Sequence, residues 1–324
     1  MLLTAGLFGL VYGLIRAGET SWSDTGVIIC LAAGVAALAA FIVAERHVAH
    51  PMFDLSLLRT PTFAGASIAA FAMNGSLYAV LLWLVLFLQD ILGYSAQDAG
   101  LRLAIISGAQ FVTATIAGRL SERVPARWLI GPGLLLVGVG LIIMGGLTGG
   151  SDWTALIPGF IVSGLGAGLV NPPLASTAIG VVPPQKAGMA SGVNATFRQI
   201  GIAAGIAALG SIFSAALAHN LTSNAAVTSS APRIVAMVRQ GQVSQLLASL
   251  PPARRGEVAV AIKAAFAAGL NDLLYVTAGV ALVGAACALL LIRSKDFVSR
   301  TEPAAGPAGD AGAGAGTVSQ ARSA

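Results

Sequence analysis

Long apolar stretches alternate with short polar loops along most of the chain. A helix needs about 20 apolar residues to cross the hydrocarbon core of a bilayer. The apolar stretches are continuous and lack the two-residue alternation of a membrane β-barrel. The pattern therefore predicts about eight transmembrane helices, at roughly 2–16, 26–44, 64–88, 99–118, 128–147, 154–178, 189–217 and 271–292.

Composition supports the same fold class. Hydrophobic residues make up 56% of the chain and charged residues 10%, whereas soluble domains carry about 25% charged residues. A chain with so little charge cannot cover its surface with polar groups. We therefore predict an all-α polytopic membrane protein whose main partner is the lipid bilayer.

Basic residues concentrate in alternate loops, and this fixes an orientation. The segments 44–62, 119–127, 183–188 and the tail after residue 291 hold most of the arginines and lysines, whereas the opposite short loops are mainly acidic. Short loops rich in lysine and arginine stay on the cytoplasmic side of a membrane. Both chain ends are therefore expected in the cytoplasm, and we expect an integral protein of the bacterial inner (plasma) membrane.

A long polar stretch, 218–270, interrupts the pattern before the last span. The apolar spacing of Ile234, Val235 and Val238 predicts a short amphipathic helix, and a second is predicted over 254–268. Two roles stay open for this outer loop, a connector that caps the helix ends and a substrate-binding element. Residues 294–324 are rich in alanine, glycine and proline and predict a disordered tail.

The residues that carry other kinds of chemistry do not form recognisable motifs. Cys30 and Cys287 both lie in apolar stretches, and His47 and His50 lack a credible third ligand for a metal. Basic residues do not cluster with aromatic residues, as a nucleic-acid surface would require. We therefore expect no enzymatic activity, no metal, no cofactor and no nucleic-acid partner.

Small residues recur at a spacing of four within the predicted spans. Glycine pairs of this kind let two helix backbones approach closely inside a membrane. The sequence predicts close helix packing at four such pairs, namely Gly9/Gly13, Gly164/Gly168, Gly188/Gly192 and Gly201/Gly205.

Polar residues inside the spans are the candidates for a substrate cavity. Arg198 lies well inside a span, where a charge costs at least about 2.5 kcal/mol unless it faces a cavity or a partner. Asn194 shares its helix face, and Gln199 follows it. Asn171 precedes two prolines that either kink a helix or end it. The remaining candidates in other spans are Asn74, Tyr78 and Gln110.

Each candidate also has a purely structural explanation. Arg198 can extend its guanidinium towards the membrane surface, and each amide or hydroxyl can form a hydrogen bond between helices. Aspartate and glutamate are absent from the middle of every predicted span. If transport is coupled to protons, we expect the coupling carboxylate to lie outside this chain.

Residues 118–128, GRLSERVPARW, carry a family resemblance. They resemble the conserved cytoplasmic loop motif of the major facilitator superfamily, in the copy found in the second half of such transporters. Gly118, Glu122, Arg123 and Arg127 are in register with that motif. The chain departs from it where Glu122 replaces an aspartate, Pro125 a glycine and Ala126 a basic residue.

Three further stretches resemble the drug:proton antiporter branch with fourteen helices: QDILGYSAQDAGL, GLGAGLVNPP and GMASGVNATFRQIGIAAG. The resemblance implies that residues 1–44 form two extra helices and that 45–62 is a cytoplasmic connecting loop. Residues 63–293 would then form a six-helix C-terminal half. The N-terminal six-helix half is missing from the sequence, and we expect that it is required.

The same resemblance implies a function. It predicts a secondary transporter that exports hydrophobic or cationic drug-like compounds in exchange for protons by alternating access. Gly118, Glu122, Arg123 and Arg127 would form a gating loop, and the polar residues within the spans would line the substrate cavity. Two alternatives stay open: a transporter with another coupling ion or direction, and a truncated fragment that acts as a membrane scaffold.

Overall fold

The computed structural model describes residues 2–19, 24–47, 55–223, 231–239 and 241–297, and no β-strand occurs among them. The described α-helices are α1 (Leu2–Glu19), α2 (Thr25–His47), α3 (Pro61–Met73), α4 (Ala79–Leu86), α5 (Ala96–Leu120), α6 (Arg127–Met144), α7 (Ile157–Gly180), α8 (Ala187–Thr222), α9 (Ala231–Arg239), α10 (Val243–Ala248) and α11 (Pro252–Leu291).

Seven helices in the described part of the chain are long and apolar enough to cross a membrane. They correspond to the second to eighth predicted spans. The first predicted span differs, because it holds a shorter apolar helix at Thr4–Gly13. The prediction of an all-α polytopic membrane protein is confirmed.

The third span is one continuous helix built from four pieces. Helices α3 and α4 are joined by a π-helical turn at Asn74–Tyr78, and a second π-helical turn at Phe87–Ile91 follows α4. Pro61 begins the span at a position where its missing N–H costs nothing. In the most apolar 18-residue stretch of this span, 67% of the residues are buried. In the corresponding stretch of α5, 11% of the residues are buried. The third span is therefore the centre of the bundle.

The other helices surround this centre in a fixed order. Helix α7 packs between α5 and α6, and α11 packs against α6, α8 and the third span. Helix α8 also contacts the third span and α1, which pairs with α2. The loops divide between two ends of the bundle. We name them the Arg123 end and the Tyr94 end, after a loop residue at each.

Three of the four predicted glycine pairs lie at close helix contacts. A Cβ atom at Gly164 or Gly168 would stand 2.5 Å from a backbone carbonyl oxygen of α5, and one at Gly201 would stand 2.6 Å from the Phe71 carbonyl. Gly9 meets the backbone of α2 at Gly34. These contacts confirm the predicted role of small residues in packing.

The fourth pair contradicts the prediction. A Cβ atom at Gly188 or Gly192 would meet nothing within 4 Å. Both glycines lie on the exposed face of α8, whereas Ala190 and Val193 in the same turns are buried. Spacing alone therefore identifies candidate packing positions but does not show whether a partner helix lies opposite.

The predicted outer loop, 218–270, is shorter than expected. Helix α8 continues to Thr222, and α11 begins at Pro252 as one helix of 40 residues. The predicted amphipathic helix is confirmed as α9, whose Ile234 and Val238 are buried in the main core. The second predicted helix, 254–268, is not separate, because no proline or left-handed residue divides it from the last span.

At the Arg123 end, the last helix is tied to the start of the third span. The hydroxyl of Thr62 is 2.7 Å from a carboxylate oxygen of Asp296 and accepts a hydrogen bond from the backbone N–H of Arg293. Residues 294–296, assigned from sequence to the tail, thus form a 3-10 turn fixed to the bundle. The rest of the predicted tail, from residue 298, lies outside the described residues.

Candidate functional site

Four of the seven predicted cavity residues are joined in one hydrogen-bonded network. The hydroxyl of Tyr78 accepts hydrogen bonds from Gln110 Nε2 at 3.2 Å and from Asn171 Nδ2 at 3.3 Å. The Asn171 Oδ1 atom accepts a hydrogen bond from Arg198 Nη2 at 3.4 Å. Four spans, the third, α5, α7 and α8, thus each contribute one polar side chain to the network.

Local backbone irregularities lie next to two of the four residues. Tyr78 ends the π-helical turn, and such turns in otherwise regular helices are frequent at functional sites. Asn171 precedes Pro172 and Pro173, which lie inside α7 rather than at its end. The sequence left two possibilities, prolines inside a helix or prolines that end it, and the structure shows the first. Because neither proline has a backbone N–H, two carbonyls of the preceding turn lose their usual partners.

A cavity of about 310 Å³ opens beside the network, between the third span and α5. Tyr78, Gln110 and Ser107 supply its polar lining, and aliphatic side chains such as Leu81 and Leu103 supply most of the rest. Among the described residues, no charged side chain lines the cavity. A mostly apolar cavity with a few polar groups at one side is typical of a small-molecule site.

Arg198 brings the only charge into the network. It lies 11 residues from the start of α8, about 16 Å along the helix axis. The side chain is partly buried, and its hydrogen bond to Asn171 is the only polar contact it makes among the described residues. It forms no ion pair with a described carboxylate. Its charge is therefore not compensated within the described part of the chain.

The three other predicted cavity residues lie outside the network. Asn74 donates to the carbonyl oxygen of Ala70 in its own helix at 2.7 Å. Asn194 is 5% exposed, and its Nδ2 atom is buried without a hydrogen-bond partner. Gln199 is exposed on the outside of α8. Asn74 therefore has a local structural role here, whereas Asn194 remains a donor without an acceptor.

The predicted gating loop surrounds a second cavity, of about 290 Å³, at the Arg123 end. Glu122 and Arg123 line one side of this cavity, and the end of α7 lines another through Ser176 and Thr177. Phe297 closes the cavity from the segment after α11. The loop thus contacts the same helix that carries Asn171.

Two residues of the predicted gating loop lie away from this cavity. Gly118 is on an exposed face of α5, with nothing within 4 Å of the position that a Cβ atom would occupy. The guanidinium of Arg127 lies 5.1 Å from the ring of its neighbour Trp128. The structure therefore brings Glu122 and Arg123 to the cavity and leaves the other two at its margin.

Sequence reasoning missed a polar cluster at the Tyr94 end. The guanidinium of Arg102 lies 3.7 Å from the Tyr94 ring and 4.9 Å from the Trp153 ring, and Asp98 is 3.7 Å away. Cation–π contacts of this kind hold the start of α5 against the start of α7. The sequence contained one signal for this region. Ser95 caps α5 three residues before Asp98, and a serine followed three residues later by an acidic residue marks the start of a helix.

The described part of the chain contains no cluster of metal-binding side chains. No three histidine, cysteine, aspartate or glutamate residues come together there. His50, one of the two histidines that lack a third ligand in the sequence, lies outside the described residues. The candidate site is therefore built from hydrogen-bonding side chains and one guanidinium.

Comparison with known proteins identifies the family of the chain. Residues 1–206 match the model of the Major Facilitator Superfamily. The chain belongs to the major facilitator superfamily. Its sequence is 31% identical to the multidrug resistance protein Stp of Mycobacterium tuberculosis over 221 residues, which are 68% of this chain and 41% of Stp.

Two further proteins extend the likeness over almost the whole chain. The tetracenomycin C resistance and export protein of Streptomyces glaucescens is 26% identical over 320 residues, 97% of this chain and 60% of that protein. A bacterial homolog of the human lysosomal transporter Spinster, in its inward-facing and occupied conformation, shares the fold. Its TM-score is 0.59 at 18% identity, over 92% of this chain and 66% of that one.

These matches confirm the resemblance to resistance and export proteins of the superfamily. The chain spans less than half the length of Stp and 60% of the tetracenomycin C protein. The matched family model is that of a superfamily of transporters.

Proposed function

We propose that the chain is the C-terminal part of a proton-coupled exporter of hydrophobic drug-like compounds in the bacterial inner membrane. The observation that carries this proposal is the meeting of the four-helix network with the 310 Å³ cavity. Polar side chains inside a membrane bundle mark substrate paths, because unsatisfied polar groups are costly in lipid. The names of Stp and of the tetracenomycin C protein support export as the direction.

In this proposal the first two helices, residues 1–44, are the extra pair of the fourteen-helix branch, and 63–293 form the six-helix half. The Arg123 end faces the cytoplasm, as do both chain ends. The N-terminal half outside this sequence completes the transport path. It also supplies the coupling carboxylate, because no described aspartate or glutamate contacts the network.

Helix α7 connects the hydrogen-bonded network to the predicted gate. Asn171 belongs to the network, and Ser176 and Thr177, five and six residues later, line the cavity of the gating loop. The two prolines lie between these positions and weaken the helix there. We infer that α7 bends at the prolines during alternating access, so that closure around Glu122 and Arg123 changes the contacts of Asn171.

Export and its coupling are tested together by the accumulation of Nile red, a neutral hydrophobic dye. Cells that express this chain together with the N-terminal half should accumulate less dye than cells with an empty vector, and a protonophore should abolish the difference. Both strains are compared at equal membrane potential and dye concentration. Equal accumulation in the two strains would contradict export, whereas a difference that persists with the protonophore would contradict proton coupling alone.

A further inference from the structure

The network and its surroundings hold more hydrogen-bond donors than acceptors. The Arg198 guanidinium has five N–H groups, and a single hydrogen bond, to Asn171, is formed among the described residues. The Asn194 amide nitrogen, one turn away on the same face, is buried without an acceptor. Tyr78 and Gln110 form hydrogen bonds with each other, and neither accepts a hydrogen bond from Arg198 among the described residues.

The described part of the chain places no negative charge in the same region. No described charged residue lines the cavity beside Tyr78, and Arg198 forms no ion pair with a described carboxylate. A guanidinium inside a membrane protein is stabilised by a carboxylate, by a phosphate or by several acceptor oxygens. A positively charged ligand would instead add a second uncompensated charge next to Arg198.

We infer that this half of the transporter selects substrates that carry an anionic or oxygen-rich acceptor group on an apolar ring system. The ring system occupies the cavity between the third span and α5, and the acceptor group turns towards Arg198. This inference rests on the proposed function and specifies the substrate class of the same site. It replaces the expectation of cationic substrates that the family resemblance implied.

Three probes with one ring system and different charge test this substrate class. They are 1-pyrenebutyrate, 1-pyrenebutanol and 1-pyrenebutylammonium, and binding to the purified chain in phosphatidylcholine nanodiscs is followed by tryptophan-to-pyrene energy transfer. Empty nanodiscs give the background. We expect pyrenebutyrate to bind about tenfold more tightly than pyrenebutylammonium, because a hydrogen-bonded charge pair contributes about that factor.

Two variants assign the preference to one residue. Arg198→Gln should reduce pyrenebutyrate affinity about tenfold and leave pyrenebutanol affinity unchanged. Arg59→Gln removes the same charge from an exposed position on the 3-10 turn Leu55–Arg59 and should change neither affinity. Equal affinity for the two charged probes, or a preference that survives Arg198→Gln, would overturn the inference but leave the exporter proposal standing.

A lipid phosphate is the competing source of the acceptor. The affinity of the wild type for pyrenebutyrate is therefore divided by that of Arg198→Gln, once in phosphatidylcholine nanodiscs and once in nanodiscs that contain phosphatidylglycerol. Because both proteins are measured in the same lipid, the repulsion of the probe by the membrane surface cancels in each ratio. An unchanged ratio supports a substrate site. A ratio that falls to one with phosphatidylglycerol would assign Arg198 to a lipid headgroup and overturn the inference. Binding of none of the probes would contradict the cavity as a substrate site, and so the proposed function.

Discussion

Replacing Arg198 by alanine is expected to reduce export at least about tenfold without reducing the amount of protein in the membrane. The side chain provides the only charge in the network, and its one described hydrogen bond goes to Asn171. Loss of a charged hydrogen bond to a ligand costs about 1.5–3 kcal/mol, which corresponds to a factor of ten or more. Efflux of 1-pyrenebutyrate from preloaded cells measures the rate, normalised to the protein in isolated membranes.

Arg59→Ala is the matched control for this variant. Arg59 is exposed and contributes no side chain to the network or to either cavity. Its export rate should equal that of the wild type. Equal rates for Arg198→Ala and wild type at matched protein levels would remove Arg198 from the substrate path and support the structural explanation, in which the side chain extends to the membrane surface.

Substituting alanine for Gly168 should have the largest effect on stability. The added Cβ atom would lie 2.5 Å from the Gln110 carbonyl oxygen and 2.7 Å from the Thr113 Cβ atom, so α5 and α7 must separate. Overpacking of this kind costs about 1–3 kcal/mol. The free energy of unfolding in mild detergent should fall by that amount. Because the clash pushes on Gln110, the hydrogen bond to Tyr78 should weaken as well.

Gly192→Ala offers the same chemical change without the clash. A Cβ atom at Gly192 meets nothing within 4 Å. Alanine favours a helix over glycine by about 1 kcal/mol, so this variant should be as stable as the wild type or more stable. If both variants lose the same stability, close packing of α5 on α7 is not the reason, and the packing account is wrong.

The sequence predicted the helices well because the membrane imposes a simple rule. Apolar length alone located seven of the eight spans, with most of their ends displaced by a few residues. It could not locate the true end of α8 or the start of α11. Both helices continue past the predicted apolar stretch. At Asn271, where the last span was predicted to begin, the side chain forms two hydrogen bonds with the backbone of Leu147. Such a contact between distant segments leaves no local pattern.

The candidate site was predictable as a set of residues but not as an arrangement. Polar side chains inside apolar spans identified Tyr78, Gln110, Asn171 and Arg198, because each is costly there without a partner. Which of them meet depends on how the helices rotate and pack. Asn74 has the same sequence signal as Asn171, yet it bonds within its own helix. The π-helical turn that ends at Tyr78 has no sequence signature that could have indicated it.

The central claim is that the cavity beside Tyr78 lies on the substrate path. Its most direct test is the reactivity of a cysteine at Ser107, which lines the cavity, in a background where Cys30 and Cys287 are replaced by serine. A cysteine at Val112, on another exposed face of α5, is the control. A charged water-soluble thiol reagent should label Ser107→Cys and not Val112→Cys, and Nile red should slow that labelling. Equal labelling at both positions, or labelling that Nile red does not change, would contradict the claim.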